Sequence, residues 1–128
     1  MPLSRLSTRG ILDHIFQYSP IGMALVALDG SFLKVNSALC DITGYAEQEL
    51  TTLCFQDITL EEDLPESVRV IDCLLNRGDN SVELTKRYFH KAGHRVTVRI
   101  HTSVVRDPDS NSPILLVAQI LKLPEASC

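Results

Sequence analysis

No apolar run in this sequence approaches the ~20 residues that a membrane-crossing helix needs. The first ten residues hold two arginines but no apolar stretch of signal-peptide length. Cysteine is sparse and scattered. Cys40, Cys54, Cys73 and Cys128 form no C-x-x-C pair, which argues against a zinc site, and nothing in their spacing asks for a disulfide. Positive charge is not in excess: a net charge of −4 leaves no basic footprint for nucleic acid or for an acidic membrane surface. A Gly-rich phosphate loop and an H-E-x-x-H motif are both missing. His14, His90, His94 and His101 stand without Ser-His-Asp or Cys-His spacing, so no catalytic residue is assigned. The acidic residues are spread over turns and helix starts, where solvation and capping account for them. These absences describe a non-enzymatic, cytosolic domain without metal, although a larger parent protein could still be anchored to a membrane.

What is present is ordinary globular material. The 128 residues are 45% hydrophobic and 22% charged, enough for one domain with a real core. The chain is organised around Ser19 to Tyr45. Two apolar runs, Met23 to Leu28 and Phe32 to Val35, flank Asp29-Gly30, a pair suited to a two-residue reverse turn. Asn36 then stands where its side chain would accept from the first free N–H groups of a helix. If it is only a cap, Asn36→Ala costs ~1 kcal/mol and Asn36→Asp is nearly neutral. Leu39 and Ile42 share a face of that helix, and Gly44 suits a left-handed stop.

Outside this stretch, residues 1–10 read as a flexible leader, 11–123 as the domain, and 124–128 as a tail. Ile11, Leu12, Ile15 and Phe16 make a narrow apolar stripe at helical spacing, ended by Ser19-Pro20. Ala46 to Leu50 predicts a weakly capped short helix. Thr51 to Thr59 follows, with Leu53, Phe55 and Ile58 as apolar anchors. Asp63 and Glu66 have capping-box spacing with Pro65 in the first turn. Leu64, Val68, Ile71 and Leu75 then predict a helix with one apolar face, stopped at Gly78. Ser81 to His90 reads as a strand. Beyond Lys91-Ala92-Gly93, Val96, Val98, Ile100, Thr102 and Val104 alternate with polar residues, as a sheet with one buried face requires. Asp107 to Pro113 is turn chemistry, and Ile114 to Leu121 is apolar enough for a central strand. The element order is that of an α+β domain.

The ordered series of short matches resembles a PAS domain, of the bacterial S-box kind found in sensor histidine kinases and diguanylate cyclases. It starts with Ser19-Pro20-Ile21-Gly22-Met23-Ala24-Leu25-Val26, Leu28-Asp29-Gly30, Val35-Asn36 and Gly44-Tyr45. It continues through Asp57-Ile58-Thr59, Glu62-Asp63-Leu64, Lys86-Arg87-Tyr88 and Ser103-Val104-Val105-Arg106-Asp107 to Gln119-Ile120. The resemblance implies a five-stranded antiparallel sheet, helices on one face, an N-terminal helix, and the last strand beside the first.

It also implies a sensory or dimerisation module tied to an output domain of the same polypeptide. The stripe of Ile11, Leu12, Ile15 and Phe16 is then either a cover for the sheet or a homodimer interface. A small ligand would lie between sheet and helices, near Met23, Leu25, Asn36, Leu39, Ile42, Phe55, Ile58, Ile71, Leu75, Val98 and Ile100. Apolar pattern alone does not separate lining from plain core, and Asn36 reads first as a cap. The competing reading is a pure interaction module with a filled core. The cofactor stays open. Haem is disfavoured because no histidine falls between Asp63 and Gly78. Flavin is disfavoured because Leu53-Cys54-Phe55-Gln56-Asp57-Ile58 lacks the family's reactive-cysteine stretch. Near the end, Lys122 and Pro124 replace the aspartate and threonine that couple related domains to an output helix.

Overall fold

A computed structural model of the chain describes residues 7–124. The first helix, α1 (Thr8–Tyr18), begins inside the segment read as a flexible leader, capped where Ser7 Oγ accepts from the Gly10 N–H at 2.9 Å. Strands β1 (Gly22–Val26) and β2 (Phe32–Val35) form a hairpin. Helices α2 (Ser37–Thr43), α3 (Glu47–Leu50) and α4 (Phe55–Ile58) follow. A 3-10 turn at Glu61–Asp63 leads into α5 (Leu64–Asn76), and β3 (Ser81–Phe89), β4 (Arg95–Arg106) and β5 (Pro113–Lys122) complete the chain. The sheet order is β2-β1-β5-β4-β3, antiparallel throughout. The last strand therefore lies between the first and the fourth, as the resemblance implied.

The core lies between one face of the sheet and the helices. Ala24, Val35, Val98, Leu116 and Ile120 meet Leu39, Leu50, Ile58 and Leu74 there, all at most 1% exposed. Burial of each large aliphatic side chain contributes roughly 1.5–3 kcal/mol. On β4 the inward residues are those the alternation named: Val96, Val98, Ile100, Thr102 and Val104. The central strand β5 is less uniform than its apolar run suggests. Leu116, Ala118 and Ile120 face inward, while Ile114 and Leu121 are each 50% exposed.

Three local expectations are corrected. The β1–β2 connection is not a two-residue turn. Ala27 N–H donates to Ser31 O at 2.8 Å and Gly30 N–H to Ala27 O at 2.9 Å, enclosing the three residues Leu28, Asp29 and Gly30. Of these only Gly30 has positive φ, +100°, which makes the loop a turn followed by a glycine bulge. A side chain at Gly30 would also collide with Gln56.

Helix α5 is rotated from the face that spacing suggested. Ser67, Val70 and Leu74 are buried, whereas Val68 is 53% exposed. Ser67 takes the inward position because it accepts a hydrogen bond from the sheet, so a polar residue sits where apolar periodicity finds none. Asp63 does not cap α5 either. Its carboxylate accepts from Arg87 at the backbone N–H (2.9 Å), Nε (3.0 Å) and Nη2 (3.0 Å), and Glu66 pairs with Arg69 instead. A strand on the far side of the turn outcompetes the helix's own N-terminus for Asp63.

Candidate functional site

Between the sheet and α5 lies a cavity of about 40 Å³. Its walls are apolar: Val26 and Phe32 from the first hairpin, Phe55 from α4, Val70 and Ile71 from α5, and Ile100, Leu116, Ala118 and Ile120 from the sheet. The polar lining comes from Ser67, Lys86, Tyr88 and Thr102, with no histidine or cysteine among the lining residues. Phe55 and Ile71 also border an outer hollow of about 210 Å³ between the β1–β2 loop and α5, lined further by Leu28, Gln56, Val68 and Leu75. Those two side chains therefore line both the interior cavity and the surface hollow.

Lys86 is the unusual member. Strand pleating puts Val82, Leu84, Lys86 and Tyr88 on the inner face of β3, so its side chain enters the core and is 5% exposed. The Nζ donates to Ser67 Oγ at 2.8 Å and lies 4.6 Å from the Phe55 ring centroid and 5.3 Å from that of Tyr88. Burial pushes the ammonium down to about 7, against the opposing pull of the Asp63 carboxylate. Burial also raises the Tyr88 phenol above its ordinary value. An ammonium with one hydrogen-bond partner and two aromatic faces is poorly compensated inside a protein.

Asn36 carries the second buried polar cluster and is fully enclosed. It does cap α2, accepting from the Leu39 N–H at 3.1 Å, but the same Oδ1 accepts from the Met23 N–H at 2.9 Å. Its Nδ2 donates to the carbonyls of Phe16 and Ile21, each at 2.9 Å. Both ends of the amide are used, so aspartate is no neutral replacement. The expected cap is present, with three further bonds beside it. At the opposite end of α2, Gly44 takes φ +78°, with the His90 ring packed where a side chain would go.

Of the other residues named as candidate lining, Phe55, Ile71 and Ile100 meet at the cavity. Leu39, Ile58 and Val98 are buried core outside its lining. Ile42 packs against the backbone at Gly22 rather than into the cavity, and Leu75 borders the outer hollow. Met23 and Leu25 lie on the other face of the sheet, because the inward positions of β1 are Gly22, Ala24 and Val26. A one-residue shift in strand phase swaps faces, and a run in which every residue is apolar does not reveal its phase. Lys86 and Ser67 were missed for a related reason: both are polar residues at inward positions. The available signal was the alternation Val82, Leu84, Lys86, Tyr88, with a lysine between apolar neighbours on one face.

On α1, Leu12 and Ile15 are 60% and 56% exposed, whereas Ile11 and Phe16 are half-buried. Lys34 Nζ lies 5.1 Å over the Phe16 ring and 3.4 Å from Asp13. Cys54 is half-buried with its Sγ 3.6 Å from Ser31 Oγ, outside the cavity lining. Among the described residues no group of His, Cys, Asp or Glu is placed to hold a metal ion, and no helix is long and apolar enough to cross a membrane.

A family model described as PAS fold matches residues 32–118. The chain belongs to the PAS family. It is 38% identical over 109 residues to the probable diguanylate cyclase DgcE of Escherichia coli (strain K12), across 85% of this chain and 10% of that protein. The chain thus spans about a tenth of that relative's length. Its fold matches a PAS domain from Colwellia psychrerythraea with a TM-score of 0.81 at 14% identity, covering 91% of this chain and 98% of the other. It also matches a PAS domain from a two-component sensor histidine kinase, with a TM-score of 0.72 at 18% identity over 88% of this chain and 94% of that one.

Proposed function

We propose that this PAS domain is the sensory and dimerisation module of a larger cytoplasmic signalling protein. It passes a change in its core to an output domain of the same polypeptide, and performs no chemistry itself. The output domain favoured is a diguanylate cyclase, by likeness to the probable diguanylate cyclase above; a histidine kinase is the second possibility. The observation that carries the sensory reading is the cavity between sheet and α5, with Lys86 and Ser67 in a mainly apolar wall. A polar group in a small apolar cavity fixes the orientation of a ligand, and a core made only for stability gains nothing from a buried amine.

The competing reading is an interaction module whose interior is merely imperfectly filled. It is supported by the outer surface, where Leu12, Ile15 and Tyr18 on α1 stand exposed. Filling the cavity discriminates the two. Ala118→Leu replaces a 7%-exposed lining residue with a larger one. In the sensory reading, signal-dependent output of the full-length protein is lost while the domain stays folded and associated. In the interaction reading, output is unaffected. Native mass spectrometry of the purified domain, with its absorption spectrum, reports any retained small molecule or chromophore and the oligomeric state.

A further inference from the structure

The interior of this domain has a cation without a matching anion. Lys86 Nζ has three donors, and Ser67 Oγ accepts one at 2.8 Å. The rings of Phe55 and Tyr88 offer their faces at 4.6 and 5.3 Å, which offsets part of the desolvation. The acid nearest to serving as a counterion, Asp63, is spent: it accepts three hydrogen bonds from Arg87. Among the described residues Lys86 has no salt bridge. The remaining neighbours at the cavity are hydrocarbon, save the hydroxyls of Tyr88 and Thr102.

From this arrangement we infer that the cavity binds a short aliphatic monocarboxylate, its carboxylate held by Lys86 and Ser67 and its alkyl end against Val26, Ile100 and Ala118. This inference rests on the sensory reading above and names the ligand class for it. Charge balance selects a monoanion. One ammonium neutralises one carboxylate, whereas a phosphate dianion would leave a second charge unpaired against hydrocarbon. The walls select the remainder of the molecule, since a sugar or amino acid would bury hydroxyl or ammonium groups beside Val26, Ile100 and Ala118 without partners. Size sets the upper limit. A space of about 40 Å³ holds roughly three water-sized spheres, which suits an acid of about two to four carbons. Phe55 and Ile71 line both this cavity and the outer hollow.

The probe is sodium propionate, with propionamide as its uncharged counterpart and ionic strength held constant with chloride. The readout is methyl NMR of Ile71, Ile100 and Val26 in the purified domain near pH 6. Propionate should give saturable shifts at those methyls, and propionamide should bind roughly tenfold or more weakly. Lys86→Met, checked for folding by circular dichroism, should weaken propionate by roughly ten- to a hundredfold. Ser67→Ala, which keeps the amine, should cost a smaller factor. Affinity should also fall as Lys86 loses its proton between about pH 6 and 9. The titratable groups facing Lys86, Asp63 from the turn before α5 and Tyr88 on β3, have their pKa values displaced away from that range. Equal binding of propionate and propionamide would overturn the carboxylate assignment while leaving a ligand-binding cavity in place. Shifts confined to exposed residues, or none at the cavity methyls with either probe, would overturn the assignment, whereas the sensory reading itself is decided by Ala118→Leu.

Discussion

The side-chain amide of Asn36 donates to the backbone carbonyl of Phe16 across 2.9 Å, tying the last turn of α1 to the first turn of α2. The same amide holds the carbonyl of Ile21 and the N–H groups of Met23 and Leu39. One buried side chain thus fixes the angle at which α1 leaves the sheet. A net contribution of about 1 kcal/mol per bond, plus the cost of leaving four backbone groups unpaired, makes it far more than a cap.

Asn36→Ala should destabilise the domain by roughly 4 kcal/mol in denaturant unfolding. Asn36→Asp should cost at least as much at neutral pH, because its second carboxylate oxygen would face two carbonyls. A near-neutral aspartate variant would mean that capping alone is at work.

The sheet was readable in advance wherever polar and apolar residues alternate, as on β4, where Val96 to Val104 mark the inner face unambiguously. It is unreadable where every residue is apolar, as on β1, where pattern does not tell the outward Met23 and Leu25 from the inward Ala24 and Val26. The cavity was hidden for a complementary reason. Pattern reading assigns polar residues to the surface, whereas Lys86 and Ser67 meet inside. Long-range pairing was also beyond local spacing: Asp63 stands at a good capping position but binds Arg87, 24 residues later. Glycine signals fared better, since Gly30, Gly44, Gly78 and Gly93 all take positive φ at or near the turns and helix ends expected of them.

The rotation of α5 gives a paired test. Leu74 is fully buried and Val68 is 53% exposed, although apolar spacing placed Val68 on the inner face. Leu74→Ala should cost roughly 2–5 kcal/mol by removing core contacts and leaving a cavity. Val68→Ala should fall within about 0.5 kcal/mol of wild type. Comparable losses at the two sites, measured by urea unfolding, would contradict the observed face.

The buried amine makes stability depend on pH in a direction opposite to that of a paired lysine. Lys86 titrates near 7 when folded, against an ordinary value of 10.5. Between those values the unfolded chain binds more protons than the folded one, so stability rises with pH across that window. The full cost of burying the charge is present below about pH 7 and disappears above the unfolded value. Lys86→Met removes this dependence. The wild-type stability minus that of the variant should increase by up to about 1.4 kcal/mol per pH unit between about pH 7 and 10. A difference that stays flat from pH 6 to 10 would mean that the ammonium is solvated or paired.

Asp63 has the opposite sign. Hydrogen bonds from Arg87 lower its pKa in the folded state, with burial acting against them. Its contribution is therefore complete above its ordinary value of 3.8 and is lost as pH falls through the lower folded value. Asp63→Asn should be less stable than wild type at pH 7, with the gap closing under strong acid. The test is chemical unfolding of both proteins across the acid range; a gap that persists undiminished would show that the carboxylate's charge is not what matters.

Dimerisation through α1 is the last prediction, and the proposed relay rests on it. The residues of α1 first grouped as one stripe divide in the folded chain, with Leu12 and Ile15 exposed and Ile11 and Phe16 half-buried. A charge at Phe16 would therefore damage the chain's own packing beneath Lys34. Charges at Leu12 and Ile15 would fall on exposed surface. If two chains meet there by two-fold contact, Leu12→Glu with Ile15→Glu places like charges across the interface. The double variant should sediment as a folded monomer while wild type shows concentration-dependent association. Because Asn36 clamps the end of α1, Asn36→Ala should also weaken association without touching the interface directly. Wild-type sedimentation as a monomer at the highest accessible concentration would sink the dimer. A variant that unfolds would instead assign Leu12 and Ile15 to the stability of the single chain.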